Sequence, residues 1–188
     1  MKKIPRESYI RRLIESQDNG LVKIITGIRR CGKSYLLFNL FHDYLNHEGI
    51  DDEHIIEFSM DSLDNEQLND PHTMLAAVRA RIKDRKKYYI FLDEIQMMPG
   101  FEPLLNTLLH AKNAEVYVTG SNSHFLSKDI VTEFRGRGEE IRMHPLCFRE
   151  FSSAYAAPDD ECWEDYFNYG GMPLVLSYSS PERKMDYL

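Results

Sequence analysis

The sequence predicts an α/β fold on a largely parallel sheet, and three observations carry that expectation. The stretch Gly27-Ile28-Arg29-Arg30-Cys31-Gly32-Lys33-Ser34 lies between a short apolar run at residues 21–26 and an apolar-rich helical pattern at residues 35–44, which makes it a strand-to-helix turn. Residues 88–92 are aromatic or aliphatic without interruption and end on Asp93-Glu94, the pattern of a buried central strand whose carboxyl end opens on a crevice. Strand-like runs at residues 54–58, 115–119 and 139–143 alternate with helical patterns, as parallel strands joined by crossover helices require.

At the start of the chain, residues 5–17 read as an amphipathic helix with Tyr9, Ile10, Leu13 and Ile14 on one face and Asp18-Asn19-Gly20 as its stop. The helix after the glycine-rich turn ends at His47-Glu48-Gly49, and the polar residues 61–70 read as a loop. Residues 71–82 form a helix opened by Pro71 with Met74, Leu75, Val78 and Ile82 inward, and residues 101–110 form another with Leu104, Leu105, Leu108 and Leu109 inward. The run at 115–119 leads into Gly120-Ser121-Asn122-Ser123, whose polar side chains serve either turn formation and capping or the positioning of water. Arg135 and Arg137, punctuated by Gly136, read either as solvated loop charge or as a clamp for phosphate. After Pro145, helical stretches at 148–155 and 162–169, a turn at Gly170-Gly171-Met172-Pro173 and residues 174–178 suggest a small lid or the start of another module. Trp163, Tyr166 and Phe167 read as its packing aromatics. The division expected is a core at residues 1–145 and this segment at 146–188.

At 188 residues and 43% hydrophobic, the chain can bury one substantial core. No stretch approaches the roughly 18 uninterrupted apolar residues of a membrane span, and residues 1–7 lack the apolar centre of a signal peptide. A cytoplasmic protein without a membrane partner is expected. Cys31, Cys147 and Cys162 are widely spaced and odd in number, so reduced thiols are expected rather than a disulfide framework or zinc site. A net charge of -7, from 23 Lys plus Arg against 30 Asp plus Glu, excludes a surface that is a nucleic-acid footprint throughout. The run at residues 79–87, with six basic residues and one acid, reads as a solvated helix end or as a contact for phosphate backbone or a partner.

The pattern Gly, four variable residues, Gly-Lys-Ser is a phosphate loop. Its glycines let the backbone curl with amides inward, the helix start adds unpaired donors, and Lys33 supplies a full positive charge. Following such a loop, an apolar strand ending in Asp93-Glu94 is a Walker B pattern. Cys31, between Arg30 and Lys33, is expected to favour its thiolate, so that oxidation would block phosphate binding.

The Arg-Arg-x-Gly-Lys-Ser loop, Asp93-Glu94-Ile95-Gln96, Thr119-Gly120-Ser121-Asn122-Ser123, Arg135-Gly136-Arg137 and the Pro145-Leu146-x-Phe148-x-Glu150-Phe151 run together resemble the AAA-like ATPase domain of a large prokaryotic family. Cys147 departs from the serine usual there, and members of that family usually continue into a C-terminal region. The resemblance implies a three-layer P-loop NTPase with a five-stranded, mainly parallel sheet of order 5-1-4-3-2, followed by the start of a small helical segment. It also implies ATP and magnesium as ligands. Nucleotide contacts then fall to Gly27, Ile28, Arg29, Arg30, Cys31, Gly32, Lys33, Ser34 and Tyr35, with Ser34 and Asp93 on the metal. Lys33 would neutralise phosphate charge and Glu94 would activate water. Ser121 or Asn122 would sense the γ-phosphate or fix that water, and Arg135 or Arg137 would stabilise transition-state charge, either in cis or, in a homo-oligomer, in trans. Arg6, Tyr9 and Ile10 are either base contacts or core, and DNA is implied as a partner only through the family's C-terminal region. A regulatory switch with little turnover would use the same pocket, and a small-molecule kinase shares the loop. No Asn-Lys-x-Asp guanine-reading motif follows the fourth strand.

Overall fold

The computed structural model describes residues 3–121, 136–155 and 159–188. Among them β1 (Val22–Gly27), β2 (Ile55–Ser59), β3 (Tyr88–Asp93), β4 (Ala114–Ser121) and β5 (Gly138–Met143) form one five-stranded sheet. Its order is β2-β3-β4-β1-β5 with every pairing parallel, the expected order read from the opposite edge. Parallel strands joined by crossover helices leave all their carboxyl ends on one side. The insertion of β4 between β1 and β3 decides what meets there: Gly27 pairs with Ser121, and Leu92 pairs with Val118.

Alternation along the strands divides the core into two layers. Ile90, Leu92, Val116 and Val118 face Met74 and Val78 of α4 (Pro71–Arg81) and Leu104, Leu105 and Leu108 of α5 (Glu102–Leu109), the faces the sequence assigned inward. On the other side, Ile25, Phe91, Tyr117 and Ile141 pack against Leu13 of α1 (Glu7–Glu15) and against the helix that follows the phosphate loop. That helix runs as Lys33–Tyr35, a π-helical stretch Leu36–Phe41 and then His42–His47, and so stops at the expected His47-Glu48-Gly49. Local chemistry agrees where it can be read: α4 starts with Pro71 in its first turn, and the Asp70 carboxylate accepts from Thr73 N at 2.9 Å.

Residues 61–70 are not wholly loop, because a 3-10 turn spans Leu63–Leu68. It buries none of its residues, so it leaves no apolar periodicity in the sequence.

The C-terminal segment holds α6 (Phe148–Ala154), α7 (Asp159–Tyr169), a 3-10 turn at Pro173–Ser177 and α8 (Pro181–Tyr187). It has a small core of its own, formed by Leu146, Phe151, Cys162 and Val175 with Ile4. A close backbone contact ties it to the exit of β5. Leu146 N donates to Gly171 O at 2.7 Å, and a Cβ on Gly171 would lie 2.0 Å from Leu146 O. Of the aromatics expected to pack, Trp163 is 53% and Phe167 76% exposed. Cys162, Tyr166 and Tyr169 form the inward stripe of α7, and the positions following the first two turn about 100° away from it. α8 was not anticipated, since among its residues only Lys184 is buried. Among the described residues no helix is long and apolar enough to cross a membrane.

Candidate functional site

Two backbone features shape the turn after β1. Gly27 must be glycine because a Cβ there would sit 2.4 Å from Met143 O at the end of β5. Arg30 (φ 65) and Gly32 (φ 102) take left-handed backbone, which curls the loop into the kind of concavity that holds anions. Ile28, Arg29 and Arg30 face outward, Tyr35 is exposed, and Ser34 is half-buried. Lys33 is only 4% exposed; its Nζ donates to Gly27 O at 3.3 Å and Ile28 O at 3.1 Å and lies 3.9 Å from Glu94 Oε1.

Asp93 ends β3 and is 3% exposed. Burial pushes its carboxyl above the usual carboxylate range; hydrogen bonds with Thr119 and Ser34 oppose that shift, while the charges of Glu94 and Asp61 add to it. Ser59 Oγ, at the end of the neighbouring β2, lies 3.5 Å from Asp93 Oδ2. Thr119 Oγ1 donates to Asp93 Oδ1 and accepts from Glu94 N at 2.9 Å. The sequence reading gave neither Thr119 nor Ser59 a role of its own. The signal for Thr119 was a hydroxyl directly after the apolar run Val116-Tyr117-Val118.

Glu94 itself adopts left-handed backbone (φ 51, ψ 45), a region a non-glycine residue occupies at a cost. The conformation ends the strand abruptly and turns the chain into the 3-10 turn Ile95–Met97. A cavity of about 500 Å³ opens here, lined by Arg29, Asp61, Glu94, Gln96 and Ser121 among others. On the other side of Arg30 lies a second cavity of about 610 Å³, with apolar walls from Ile4, Met143, Leu146, Pro173 and Leu174.

Arg6 lines that second cavity, buried and with left-handed backbone (φ 48). Tyr9 does not line it: its ring lies 4.7 Å from the Arg6 guanidinium and its hydroxyl accepts from His144 N at 3.0 Å. Ile10 belongs to a separate groove beside Ile14 and Leu40. Of the three base contacts considered, the structure therefore brings only Arg6 to the cavity.

One expectation is corrected, and one residue is placed away from the loop. Cys31 is fully buried, and burial pushes its thiol up, outweighing the nearby charges of Lys33 and Arg6; a favoured thiolate does not follow. Arg137 precedes β5 at the opposite end of the sheet, where Val22 N donates to its carbonyl and Asn106 Oδ1 accepts from its guanidinium at 2.8 Å. Since β1 crosses six residues from there to Gly27, roughly 20 Å separate Arg137 from this chain's own phosphate loop. Asn122 and Arg135 lie outside the described residues.

A parallel sheet in this order, with a phosphate loop at one strand exit and an acid pair at the next but one, defines a P-loop NTPase. The family described as an AAA domain matches residues 19–152, and the chain belongs to it: an AAA-type P-loop ATPase family. The chain is 33% identical over 184 residues to an uncharacterized protein of Haemophilus influenzae, covering 95% of this chain and 46% of that one. It is 32% identical over 183 residues to the uncharacterized protein MJ1544 of Methanocaldococcus jannaschii, covering 89% and 39%. It thus spans less than half the length of either relative. Among solved structures it is similar to the Walker-type ATPase PABY2304 of Pyrococcus abyssi, with TM-score 0.68, 20% identity, 98% of this chain and 71% of that one covered. It is also similar to AMPPCP-bound DnaA from Aquifex aeolicus, with TM-score 0.59, 15% identity, and 100% and 62% covered. The ORC1 protein of Aeropyrum pernix, solved in complex with DNA, gives TM-score 0.53 at 17% identity over 81% of this chain and 48% of its own. At these identities the structural likenesses speak for the fold.

Proposed function

We propose that this chain binds ATP with magnesium and hydrolyses it to ADP and phosphate. The observation that carries the reading is the convergence of Lys33 Nζ and Glu94 Oε1 to 3.9 Å beside Asp93, whose carboxyl the Ser34 hydroxyl of the loop helps to hold charged. The residues present fit both ligands. The donors beside the loop, Ser34 and Asp93, are oxygen atoms of the kind a hard divalent cation takes, and the backbone from Gly27 to Gly32 has the curl that accepts phosphate. When bound, magnesium supplies charge that neutralises phosphate oxygens.

Lys33 contributes a buried positive charge to the β- and γ-phosphates, exchanging its carbonyl partners for phosphate oxygens. Glu94 orients water and accepts its proton as that water attacks the γ-phosphorus and the bond to the bridging oxygen breaks. The backbone of residues 27–35 contacts the nucleotide, and its base enters the apolar cavity beside Arg6 and Tyr35. Ser121, at the exit of β4 next to Gly27, and Asn122 after it sense the γ-phosphate. Arg137, placed far from its own loop, acts with Arg135 on the site of a neighbouring copy, which makes the working form a homo-oligomer.

We further propose residues 1–145 as the ATPase core and 146–188 as a lid that answers to nucleotide. The specific support is Arg30, which lines both cavities and lies 5.1 Å from the centre of the Tyr187 ring. The same contact favours the second reading, a nucleotide-dependent switch with little turnover. DNA as a partner of the whole protein and a cytoplasmic location are proposals of the same kind, the first supported by the likeness to ORC1. The test is a binding and turnover measurement with ATP, GTP and magnesium, with and without DNA. Magnesium-dependent phosphate release from ATP is expected; tight ATP binding without release favours the switch, and binding of neither nucleotide defeats both readings.

A further inference from the structure

Gln96 follows the acid pair by two residues and has no part in the chemistry set out above. The left-handed backbone of Glu94 brings it there. Met97 N donates to Glu94 O at 2.9 Å, and the tight turn this closes folds the Gln96 side chain back beside Glu94. Gln96 Nε2 donates to Glu94 Oε2 and also lies 3.4 Å from Ser121 Oγ. A carboxylate can only accept, so the NH₂ end of the amide is the end that faces it. The amide oxygen is consequently turned away, and it is buried with no hydrogen-bond partner among the described residues.

That orphaned oxygen is informative. A methionine of similar volume would fill the space without burying an unsatisfied polar atom, so packing alone does not account for an amide here. What the position gains is a donor aimed at one oxygen of Glu94, while the other oxygen lies toward Lys33 at 3.9 Å. The two contacts together define the plane of the carboxylate at the mouth of the 500 Å³ cavity. The same amide joins the exit of β3 to that of β4, where Ser121 stands beside Gly27 of the phosphate loop.

We propose that Gln96 is a positioning residue for hydrolysis: its amide N–H₂ holds the Glu94 carboxylate in the orientation from which it takes the proton of the attacking water. The inference rests on the reading of Glu94 as the base of an ATPase. Misplacement of such a group costs about tenfold to a hundredfold in rate.

The decisive variant is Gln96→Met, which keeps the volume and removes the donor. Single-turnover hydrolysis of ATP with magnesium is expected to fall about tenfold to a hundredfold, while ATP affinity stays within about twofold. Gln96→His, whose Nε2–H has comparable reach, recovers part of the rate. Because Gln96 acts through Glu94, adding Gln96→Met to Glu94→Gln causes no further loss. The inference is overturned if Gln96→Met hydrolyses ATP at the wild-type rate, if its loss of rate is matched by a loss of ATP affinity, or if the two substitutions add. The two levels of the argument separate cleanly. Wild-type turnover in Glu94→Gln defeats the ATPase reading itself, whereas a dead Glu94→Gln beside a fully active Gln96→Met defeats only the role given to Gln96.

Discussion

Thr119 and Asp93 are joined by a hydrogen bond from the threonine hydroxyl to Asp93 Oδ1, and the same hydroxyl accepts from Glu94 N. One side chain on β4 thus sets both acids at the exit of β3. Thr119→Val keeps the shape and leaves the buried carboxylate and the Glu94 amide each short of a partner. Expected are a stability loss of about 1–3 kcal/mol, read by urea unfolding, and a higher magnesium concentration for half-maximal ATP turnover. An unchanged magnesium requirement would mean that Thr119 does not set Asp93.

Lys33 is held by two backbone carbonyls of its own loop, a position that fits a charge waiting for phosphate. Truncation in Lys33→Ala removes charge-assisted hydrogen bonds, so calorimetry is expected to show ATP affinity lower by roughly 10- to 100-fold. Affinity equal to wild type would place the phosphates elsewhere.

Much of this arrangement is legible in the chain because it depends on local signals. The phosphate loop, the apolar strand ending in Asp93-Glu94 and the helix faces of Met74 and Val78 follow from spacing and periodicity, and the described structure places them as read. Thr119, Ser59 and Gln96 are brought to the site by register and by the left-handed turn at Glu94, neither of which a one-dimensional pattern encodes. Cys31 was misread for the same reason. Neighbours in sequence suggested a thiolate, while packing buries Cys31; topology likewise sends Arg137 to the far end of the sheet, away from this chain's own loop.

At that far end Lys23, 1% exposed, lies 3.3 Å from Glu115, which also pairs with Lys87 at 3.0 Å. Burial works to raise the Glu115 carboxyl, but hydrogen bonds with Tyr117 and Lys87 and the nearby Lys23 outweigh it, so the group titrates below its ordinary 4.5. A depressed folded value means stability that is present above pH 4.5 and lost as pH falls through the lower folded one. Glu115→Gln leaves Lys23 buried without its counter-charge and is expected to cost about 3–5 kcal/mol near neutral pH. The gap from wild type should narrow in acid, measured by urea unfolding across a pH series; a gap that does not change with pH would contradict the ion-pair account.

Cys31 offers a chemical check on the buried loop. Iodoacetamide applied to the folded protein is expected to modify the exposed Cys147 and to leave Cys31 intact, read by peptide mass spectrometry. Rapid alkylation of Cys31 would restore the redox idea that its burial argues against.

The claim at the centre is that Glu94 serves as the base for ATP hydrolysis at this loop. Phosphate release with ATP and magnesium, compared between wild type and Glu94→Gln at saturating nucleotide, tests it most directly. The account predicts that the variant still binds ATP and releases phosphate slower by at least about a hundredfold. Release at the wild-type rate would contradict it.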